Sequence, residues 1–348
     1  RGFLAAGVIG SAGTALGEPL ETSLRPRLRD LVVRKRTEAD ILAAKPLSGT
    51  IAFAVADLET GETFADRQPQ LALPPASVTK AMTAAFALDR LGPDYRFSTG
   101  LFMTGEVEGS VLNGDLYLLG SGDPTLETYH LALLGQALEA AGILSVRGDF
   151  VVSGGGFARL SELDPTQPPQ VGYNPTIAGL NLNFNRVRFD WERTGAGYKA
   201  TMRAVGKNFT PDTPVTRIHI DGTRDLPVYK HSATTRHETW SVARSALGKA
   251  GGRWLPTRVP ELYTGEAFVG IGRTLGISIP PPRIGRVPNG AFKIAEVKSG
   301  PLVETAKGML KYSTNLTAEV LGFAAFGETQ LAASAADLSA WSKDWGMN

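Results

Sequence analysis

A long stretch of short strand-like segments lies between two parts of the chain that have helical patterns. From about Phe97 to Pro282 the sequence is broken every few residues by Gly, Asn or Pro, as in Gly105 to Gly109 and Asn113 to Asp115. The cluster Pro280-Pro281-Pro282 can continue neither a helix nor a strand ladder, so it marks the end of this stretch. We therefore predict a large, mostly β insertion in a domain that both ends of the chain build.

The chain outside the insertion is predicted to be largely helical, because apolar residues recur there at helical spacing. The predicted helices cover residues 24–44, 78–91, 301–326 (one helix or two) and 331–345. A hairpin of Ile51 to Asp57 with Glu62 to Phe64 is expected before the second of these helices. Inside the insertion we expect strands at 148–152 and 180–189, and a single helix at 129–141.

Composition limits the chemistry that the chain can carry. Its 348 residues, 43% of them hydrophobic and 20% charged, are typical of a globular protein with two or three domains. A formal net charge of +2 argues against a nucleic-acid-binding protein. The absence of cysteine excludes disulfides and thiol chemistry. No phosphate-binding motif follows a strand, and the histidines lack metal-ligand spacing, so we expect no metal and no cofactor. These histidines are His130, His219, His231 and His237.

The first residues resemble an export signal. The stretch from Phe3 to Leu16 is apolar and rich in small residues, follows Arg1 and precedes Gly17 and Glu18. It is too short to span a membrane, and no other run approaches that length, so we expect no transmembrane segment. We interpret residues 1–17 as the remnant of a signal of the twin-arginine type and predict a periplasmic protein. A buried apolar helix is the alternative.

The sharpest local motif is Ser77-Val78-Thr79-Lys80, at the first turn of an apolar helix. Residues three apart share a helix face, so the serine hydroxyl and the lysine amine come within reach of each other. A lysine that is shielded from water can accept a serine proton, and the helix N-terminus adds electrostatic stabilisation. A capping serine followed by a solvated lysine is the alternative for this motif alone.

A second motif, Ser313-Thr314-Asn315, follows on a predicted turn between helices, 236 positions after Ser77. Ser313 can relay a proton to a leaving amine, while Asn315 can hydrogen-bond a substrate amide and the lysine. Helix capping is the alternative interpretation.

The chain also contains, in this order, PPASVTKAMTAAFAL, LYLLGSGDPTL, AGLNLNFNRVRF and KYSTNLTAEVLG. With these segments it resembles the class C low-molecular-mass penicillin-binding proteins, the D-alanyl-D-alanine carboxypeptidase/endopeptidase family. The resemblance covers nearly the whole chain from about Leu24. Members of that family have a large insertion between the two motifs, which agrees with the insertion inferred from the pattern alone.

The resemblance implies an α/β (α+β) catalytic domain of the penicillin-binding-protein and serine β-lactamase type, with a large β-rich insertion. We expect a discontinuous catalytic domain of residues 18–96 and 286–348 around an insertion of residues 97–285. The implied reaction is hydrolysis of the D-Ala-D-Ala end, or of a cross-link, of peptidoglycan stem peptides through an acyl-enzyme, with β-lactam antibiotics as inhibitors. The implied catalytic residues are Ser77 as nucleophile, Lys80 as base and Ser313 as proton relay, with Asn315 as substrate-binding residue.

One part of the family pattern, a Lys-Thr-Gly-type motif on a strand after Asn315, is not seen in this sequence. The triplet Lys298-Ser299-Gly300 precedes Ser313, on the wrong side, and is rejected as that motif. We expect the motif to follow Asn348 in the native protein. Without it, the chain should have impaired activity and an exposed sheet edge.

Two rival functions remain open. A serine β-lactamase or esterase with the same serine and lysine would release hydrolysed β-lactam rapidly. A non-catalytic peptidoglycan-binding protein or fragment would bind its ligand without any covalent adduct.

Overall fold

A computed structural model describes residues 40, 42, 48–327 and 330–346. The chain divides into two compact units, with the boundary between Pro74 and Pro75. In the first unit, β1 (Phe53–Ala56) and β2 (Thr63–Arg67) form the predicted antiparallel hairpin. Apart from residues 40 and 42, the predicted helix at 24–44 lies outside the described residues, as does the predicted export signal at 1–17.

The second unit combines helices and strands throughout its described part. The helices are α1 (Thr79–Leu91), α2 (Thr128–Ala140), α3 (Pro260–Thr274), α4 (Leu302–Tyr312), α5 (Asn315–Phe326) and α6 (Leu331–Asp344). The strands are β3 (Ser98–Met103), β4 (Glu106–Glu108), β5 (Val111–Asn113), β6 (Leu116–Gly120), β7 (Ser145–Val146), β8 (Phe150–Ser153), β9 (Arg186–Thr194), β10 (Gly197–Arg203), β11 (Thr216–Asp221), β12 (Tyr229–Ala233), β13 (Glu238–Ala243), β14 (Ala250–Pro256), β15 (Pro282–Ile284) and β16 (Phe292–Lys298).

A five-stranded mixed sheet has the strand order β15-β8-β6-β3-β16. Strands β15, β8 and β6 run parallel, whereas β3 is antiparallel to both β6 and β16. Three three-stranded sheets accompany it, with orders β10-β9-β14, β11-β13-β12 and β4-β5-β7. The region between the two motifs is therefore rich in β structure, as the sequence predicts.

The structure corrects several local predictions. Residues 292–298 form a strand in a region that was predicted to be helical, because they pair with β3. Pro282 begins a strand instead of ending the β region, and it can do so because β15 lies at the sheet edge. Strand β16 thus joins strands of the predicted insertion, while the boundaries proposed for the domains stay a prediction.

Helix α3 was not predicted, because its sequence contains three glycines that weaken a helical pattern. Two of these glycines allow close packing: a Cβ on Gly265 would lie 2.6 Å from the Pro282 side chain, and one on Gly272 would lie 2.8 Å from Ile279. Tertiary contact therefore compensates for low helix propensity in α3.

Two hydrophobic cores stabilise the second unit. The larger core joins the five-stranded sheet to α2 and α3, and includes the fully buried rings of Phe150 and Phe268. The smaller core joins α1, α4 and α5. Beside it, the ring of Phe86 on α1 stacks on Phe326 at 3.9 Å, and the Trp341 indole of α6 donates a hydrogen bond of 3.0 Å to Asp89. These contacts fix α1, the helix that follows Ser77, against α5 and α6.

Candidate active site

Ser77 lies in a 3₁₀ turn, Ala76–Val78, that leads directly into α1. Its side chain is exposed, whereas Lys80, one turn further on, is only 9% exposed. The Lys80 ammonium Nζ lies 3.1 Å from the Ser77 hydroxyl Oγ and donates a hydrogen bond to it. The spacing of the S-x-x-K motif thus produces contact between the two groups, as expected for residues three apart.

The backbone is strained immediately before Ser77. Ala76 has φ +47°, in the left-handed region that residues with a Cβ rarely adopt. Such a conformation costs about 1–2 kcal/mol and persists only where the surrounding structure holds it. Strain of this kind concentrates at functional sites.

The second motif lies in the sharp connection between α4 and α5. Ser313 ends α4 with φ +54°, and Asn315 is the first residue of α5. The Asn315 side-chain amide donates a hydrogen bond of 3.0 Å to the main-chain carbonyl of Tyr173. The motif is therefore tied to a loop of the β-rich insertion.

The two motifs are linked through α5. Glu319 follows Asn315 by four residues, so both lie on one face of α5, the helix that packs on α1. Burial raises the pKa of the half-buried Glu319 carboxyl, and the positive charge of Lys80 partly opposes this shift. Sequence reasoning missed Glu319, although its spacing from Asn315 was a usable signal.

A cavity of about 370 Å³ opens beside Ser313 and Asn315. Four aromatic side chains and one charged side chain face it: Tyr173, Phe184, Tyr312, Trp254 and Arg186. The Arg186 guanidinium lies over both the Phe184 ring, at 5.2 Å, and the Trp254 ring, at 5.7 Å. Phe184 belongs to the segment AGLNLNFNRVRF, which the sequence marked only as family-like, so its place at the cavity was missed.

Phe184 reaches the cavity from an unusual backbone segment. Asn183, Phe184 and Asn185 all have positive φ, of 51°, 60° and 51°, where a strand was predicted. The Asn185 amide holds this segment by donating hydrogen bonds of 2.8 Å to the Thr176 carbonyl and to the Asn181 side chain. Hydrogen bonds from buried side-chain amides thus hold this segment in place of the main-chain hydrogen bonds that a strand would form.

Arg258 anchors the loop that carries Tyr173. Its guanidinium donates hydrogen bonds of 2.8 Å to the carbonyls of Ser161 and Asn174. Its own main-chain N–H is held by the buried Glu238 carboxylate at 2.8 Å. The wall of the cavity opposite the S-x-N motif is therefore fixed from the β-rich side.

Two other segments from the sequence have structural roles. The buried Asp123 carboxylate accepts hydrogen bonds from the main chain and the hydroxyl of Thr125, and burial raises the pKa of Asp123. The hydroxyl of buried Ser299 accepts the Phe97 N–H at 3.0 Å and donates to the Gly300 carbonyl at 2.8 Å. These contacts give Ser299 a structural role, while the rejection of Lys298-Ser299-Gly300 as a catalytic motif stays a prediction.

The described part of the chain contains neither a metal-binding cluster nor a membrane-spanning helix. There, no group of three or more His, Asp or Glu residues could hold a metal ion. No helix among these residues combines the length and the apolar character needed to cross a membrane.

The structure therefore pairs Ser77 with Lys80 and places Ser313 and Asn315 at one cavity. The catalytic and substrate-binding roles assigned to these four residues stay predictions.

The family model of the D-Ala-D-Ala carboxypeptidase 3 (S13) family matches residues 37–343. The chain belongs to this family. The resemblance inferred from the sequence motifs is thereby confirmed.

Curated relatives of the S13 chain include a D-alanyl-D-alanine carboxypeptidase of Actinomadura sp. (strain R39), which is 33% identical over 165 residues, 44% of this chain and 29% of the relative. A carboxypeptidase of Mycobacterium tuberculosis is 26% identical over 282 residues, 81% of this chain and 49% of the relative. The chain thus spans about half or less of the length of these relatives.

Solved structures show the same fold. Penicillin-binding protein 4 (DacB) of Haemophilus influenzae superposes with a TM-score of 0.67 at 21% identity, covering 89% of this chain and 71% of that protein. Its complex with a β-lactam gives a TM-score of 0.62 at 20% identity, covering 89% of this chain and 70% of that protein. The α+β penicillin-binding-protein fold expected from the sequence is confirmed.

Proposed function

We propose that this S13 chain is the acyl-transfer part of a serine D-Ala-D-Ala carboxypeptidase/endopeptidase that acts on peptidoglycan stem peptides. The observation that carries the proposal is the hydrogen bond of 3.1 Å between Lys80 Nζ and Ser77 Oγ. Family membership and the names of the curated relatives support the same reaction.

In the proposed first step, Ser77 Oγ attacks the carbonyl carbon of the penultimate D-alanine. The Lys80 amine, in its neutral form, takes the hydroxyl proton as the new C–O bond forms. The C–N bond to the last residue then breaks, and the leaving amine receives a proton through the Ser313 hydroxyl. Water attacks the resulting ester, which releases the shortened peptide and returns the proton to Ser77.

The cavity beside Ser313, whose lining includes neither Ser77 nor Lys80, is the proposed place for the part of the peptide that lies beyond the reacting carbonyl. Asn315 lies at its edge, where its side chain can bind a substrate amide. The aromatic walls can exclude water from the peptide and hold it in one orientation. The amide of a β-lactam ring presents the same reacting group, so β-lactams are the proposed inhibitors. Export is part of this proposal, because peptidoglycan lies outside the cytoplasmic membrane.

Intact-mass spectrometry after incubation with excess benzylpenicillin tests the proposal. We expect one penicilloyl adduct per chain, which peptide mapping locates on Ser77. Ser77→Ala should abolish the adduct without changing the melting temperature, whereas Thr79→Ala, the exposed neighbour within the same motif, should keep it.

The outcome separates the rival functions. Rapid release of hydrolysed penicillin without an accumulating adduct would indicate a β-lactamase. Absence of both an adduct and turnover would indicate a binding protein and refute the proposal, as would an adduct that persists in the Ser77→Ala variant.

A further inference from the structure

Positive charge is concentrated in one part of the chain. Residues 186–256, which we call the basic lobe, contain 13 Lys and Arg but only 6 Asp and Glu, a net charge of +7. The other 277 residues together carry −5, since the whole chain has a net charge of +2. The basic lobe comprises strands β9 to β14. Such an asymmetry creates a local field that attracts anions even when the whole molecule is nearly neutral.

A cavity of about 380 Å³ lies in the basic lobe and shares none of its lining residues with the cavity beside Ser313. Three arginines from three separate elements line it: Arg193 on β9, Arg224 after β11 and Arg244 after β13. The Tyr198 hydroxyl, also at the cavity, donates a hydrogen bond of 3.1 Å to the Leu247 carbonyl. The three arginines thus line one cavity, and the hydrogen bond between Tyr198 and Leu247 fixes part of its wall.

The three arginines differ in their bonding. Arg224 is already engaged, with a salt bridge of 3.0 Å to Asp221 and hydrogen bonds to the carbonyl and hydroxyl of Ser241. Arg193 and Arg244 are exposed, and neither forms an ion pair with a carboxylate among the described residues. One acidic residue, the exposed Asp225, also lines the cavity. Two guanidinium groups therefore remain free to bind an anion.

A further cation lies next to Arg193. The main-chain N–H of Arg193 donates a hydrogen bond of 2.7 Å to the Lys249 carbonyl, which brings the exposed Lys249 alongside. Guanidinium groups bind phosphate oxygens through two parallel hydrogen bonds, and several groups can share one tetrahedral phosphate. The Lys and Arg residues of the basic lobe extend well beyond the cavity. An extended polyanion can therefore contact more of these cationic side chains than a single small anion can.

We propose that the basic lobe binds a polyol-phosphate polymer, such as poly(glycerol phosphate), with one phosphate group held in the cavity between Arg193 and Arg244. This activity goes beyond the proposed acyl transfer and requires neither Ser77 nor Ser313. It would hold the protein on a phosphate-rich polymer while the S-x-x-K site remains accessible.

Titration of the full chain with fluorescently labelled poly(glycerol phosphate) at low salt tests the proposal. The double variant Arg193→Gln with Arg244→Gln should bind at least roughly ten times more weakly, because it loses charge-assisted hydrogen bonds. The matched control is Arg217→Gln with Arg236→Gln, two exposed arginines of the same lobe that do not line the cavity. Both variants lower the net charge by the same amount, so only the cavity distinguishes them.

Comparison of ligands needs no variant and therefore does not depend on folding of the mutants. We expect poly(glycerol phosphate) to bind more tightly than polyglutamate, and more tightly than vesicles of phosphatidylglycerol. Equal weakening by both double variants, equal binding of polyglutamate, tighter binding to the vesicles, or no binding at all would each overturn the proposal. Because the readout is independent of Ser77, the penicilloyl adduct test can succeed or fail separately.

Discussion

The Asn315 side-chain amide donates a hydrogen bond of 3.0 Å to the Tyr173 carbonyl and so joins the S-x-N helix to a loop 142 positions earlier. Replacement of Asn315 by Asp would place a carboxylate against that carbonyl oxygen, and the two acceptors would repel each other. We expect Asn315→Asp to lower the free energy of unfolding by about 1 kcal/mol and to slow acylation by benzylpenicillin roughly tenfold or more. Urea unfolding and time-resolved mass spectrometry measure the two effects.

Thr314→Ala is the control for this prediction, because the Thr314 side chain makes no capping hydrogen bond at the start of α5. It should leave the free energy of unfolding nearly unchanged. Wild-type stability and acylation in Asn315→Asp would contradict the role given to the Asn315 amide.

The contact between Lys80 and Ser77 gives a second prediction. Lys80→Met keeps an unbranched side chain as far as Cε but removes the Nζ amine that would take the serine proton. We expect the rate of penicilloyl adduct formation to fall roughly 10²–10⁴-fold, the usual contribution of a positioned base. Lys311→Met is the matched control: Lys311 is an exposed lysine near the other motif, with Nζ 5.2 Å from the Tyr312 ring. If both variants react alike, Lys80 is not the base.

A third prediction concerns the left-handed backbone of Ser313. Both Ser313→Gly and Ser313→Ala remove the hydroxyl, but only glycine adopts φ +54° without a steric penalty. The free energy of unfolding of the Gly variant should therefore be about 0.5–1 kcal/mol higher than that of the Ala variant. Glycine increases the entropy of the unfolded chain, but the relief of backbone strain in the folded state is the larger effect. Both variants should acylate more slowly than wild type. Equal stabilities in urea unfolding would exclude strain at Ser313.

The S-x-x-K contact could be predicted from the sequence because it depends on local helix geometry alone. Apolar spacing from Val78 to Leu91 indicated a helix, and the helix places Ser77 and Lys80 on one face. The hairpin before it and the helices after residue 301 were predicted for the same reason, since their periodic patterns are short-range.

The cavity could not be predicted, because its walls come from residues distant in sequence. Tyr173 reaches the cavity through a loop that Arg258 anchors. Phe184 reaches it through three residues with left-handed backbone, in a segment whose apolar pattern at 180–189 had predicted a strand. The strand β16 was missed because exposed Phe292 and Lys293 obscure its pairing with β3. Hydrogen bonds from side-chain amides and pairing between distant strands determine these structures, and local sequence patterns contain neither.

The asparagine segment behind Phe184 gives a fourth prediction. Asn185→Ala removes two buried hydrogen bonds of 2.8 Å, so we expect a loss of about 2–4 kcal/mol in the free energy of unfolding. The Thr176 carbonyl loses its donor, whereas the Asn181 side-chain oxygen keeps the Ala178 N–H at 3.1 Å. Asn208 also has a positive φ, of 69°, but is exposed. Asn208→Ala therefore reports the backbone effect alone and should cost less than about 1 kcal/mol. Similar losses in the two variants would show that the buried amide bonds contribute little.

The final prediction concerns the dependence of stability on pH. Burial raises the pKa of Glu319, against the opposing effect of Lys80, so the folded protein binds this proton more tightly than the unfolded chain does. The stabilisation that results is complete below the ordinary carboxyl pKa and is lost as the pH rises through the higher pKa of the folded state. Glu319→Gln cannot lose a proton, so its stability relative to wild type should increase as the pH rises from the ordinary carboxyl pKa through the higher pKa of the folded state.

Urea unfolding at several pH values measures this difference, with Glu304→Gln as the control because Glu304 is an exposed carboxylate on the neighbouring helix α4. A pH dependence of Glu319→Gln no larger than that of Glu304→Gln would mean that burial does not raise the pKa of Glu319. An increase confined to Glu319→Gln would show that burial raises the pKa of Glu319 despite the opposing positive charge of Lys80.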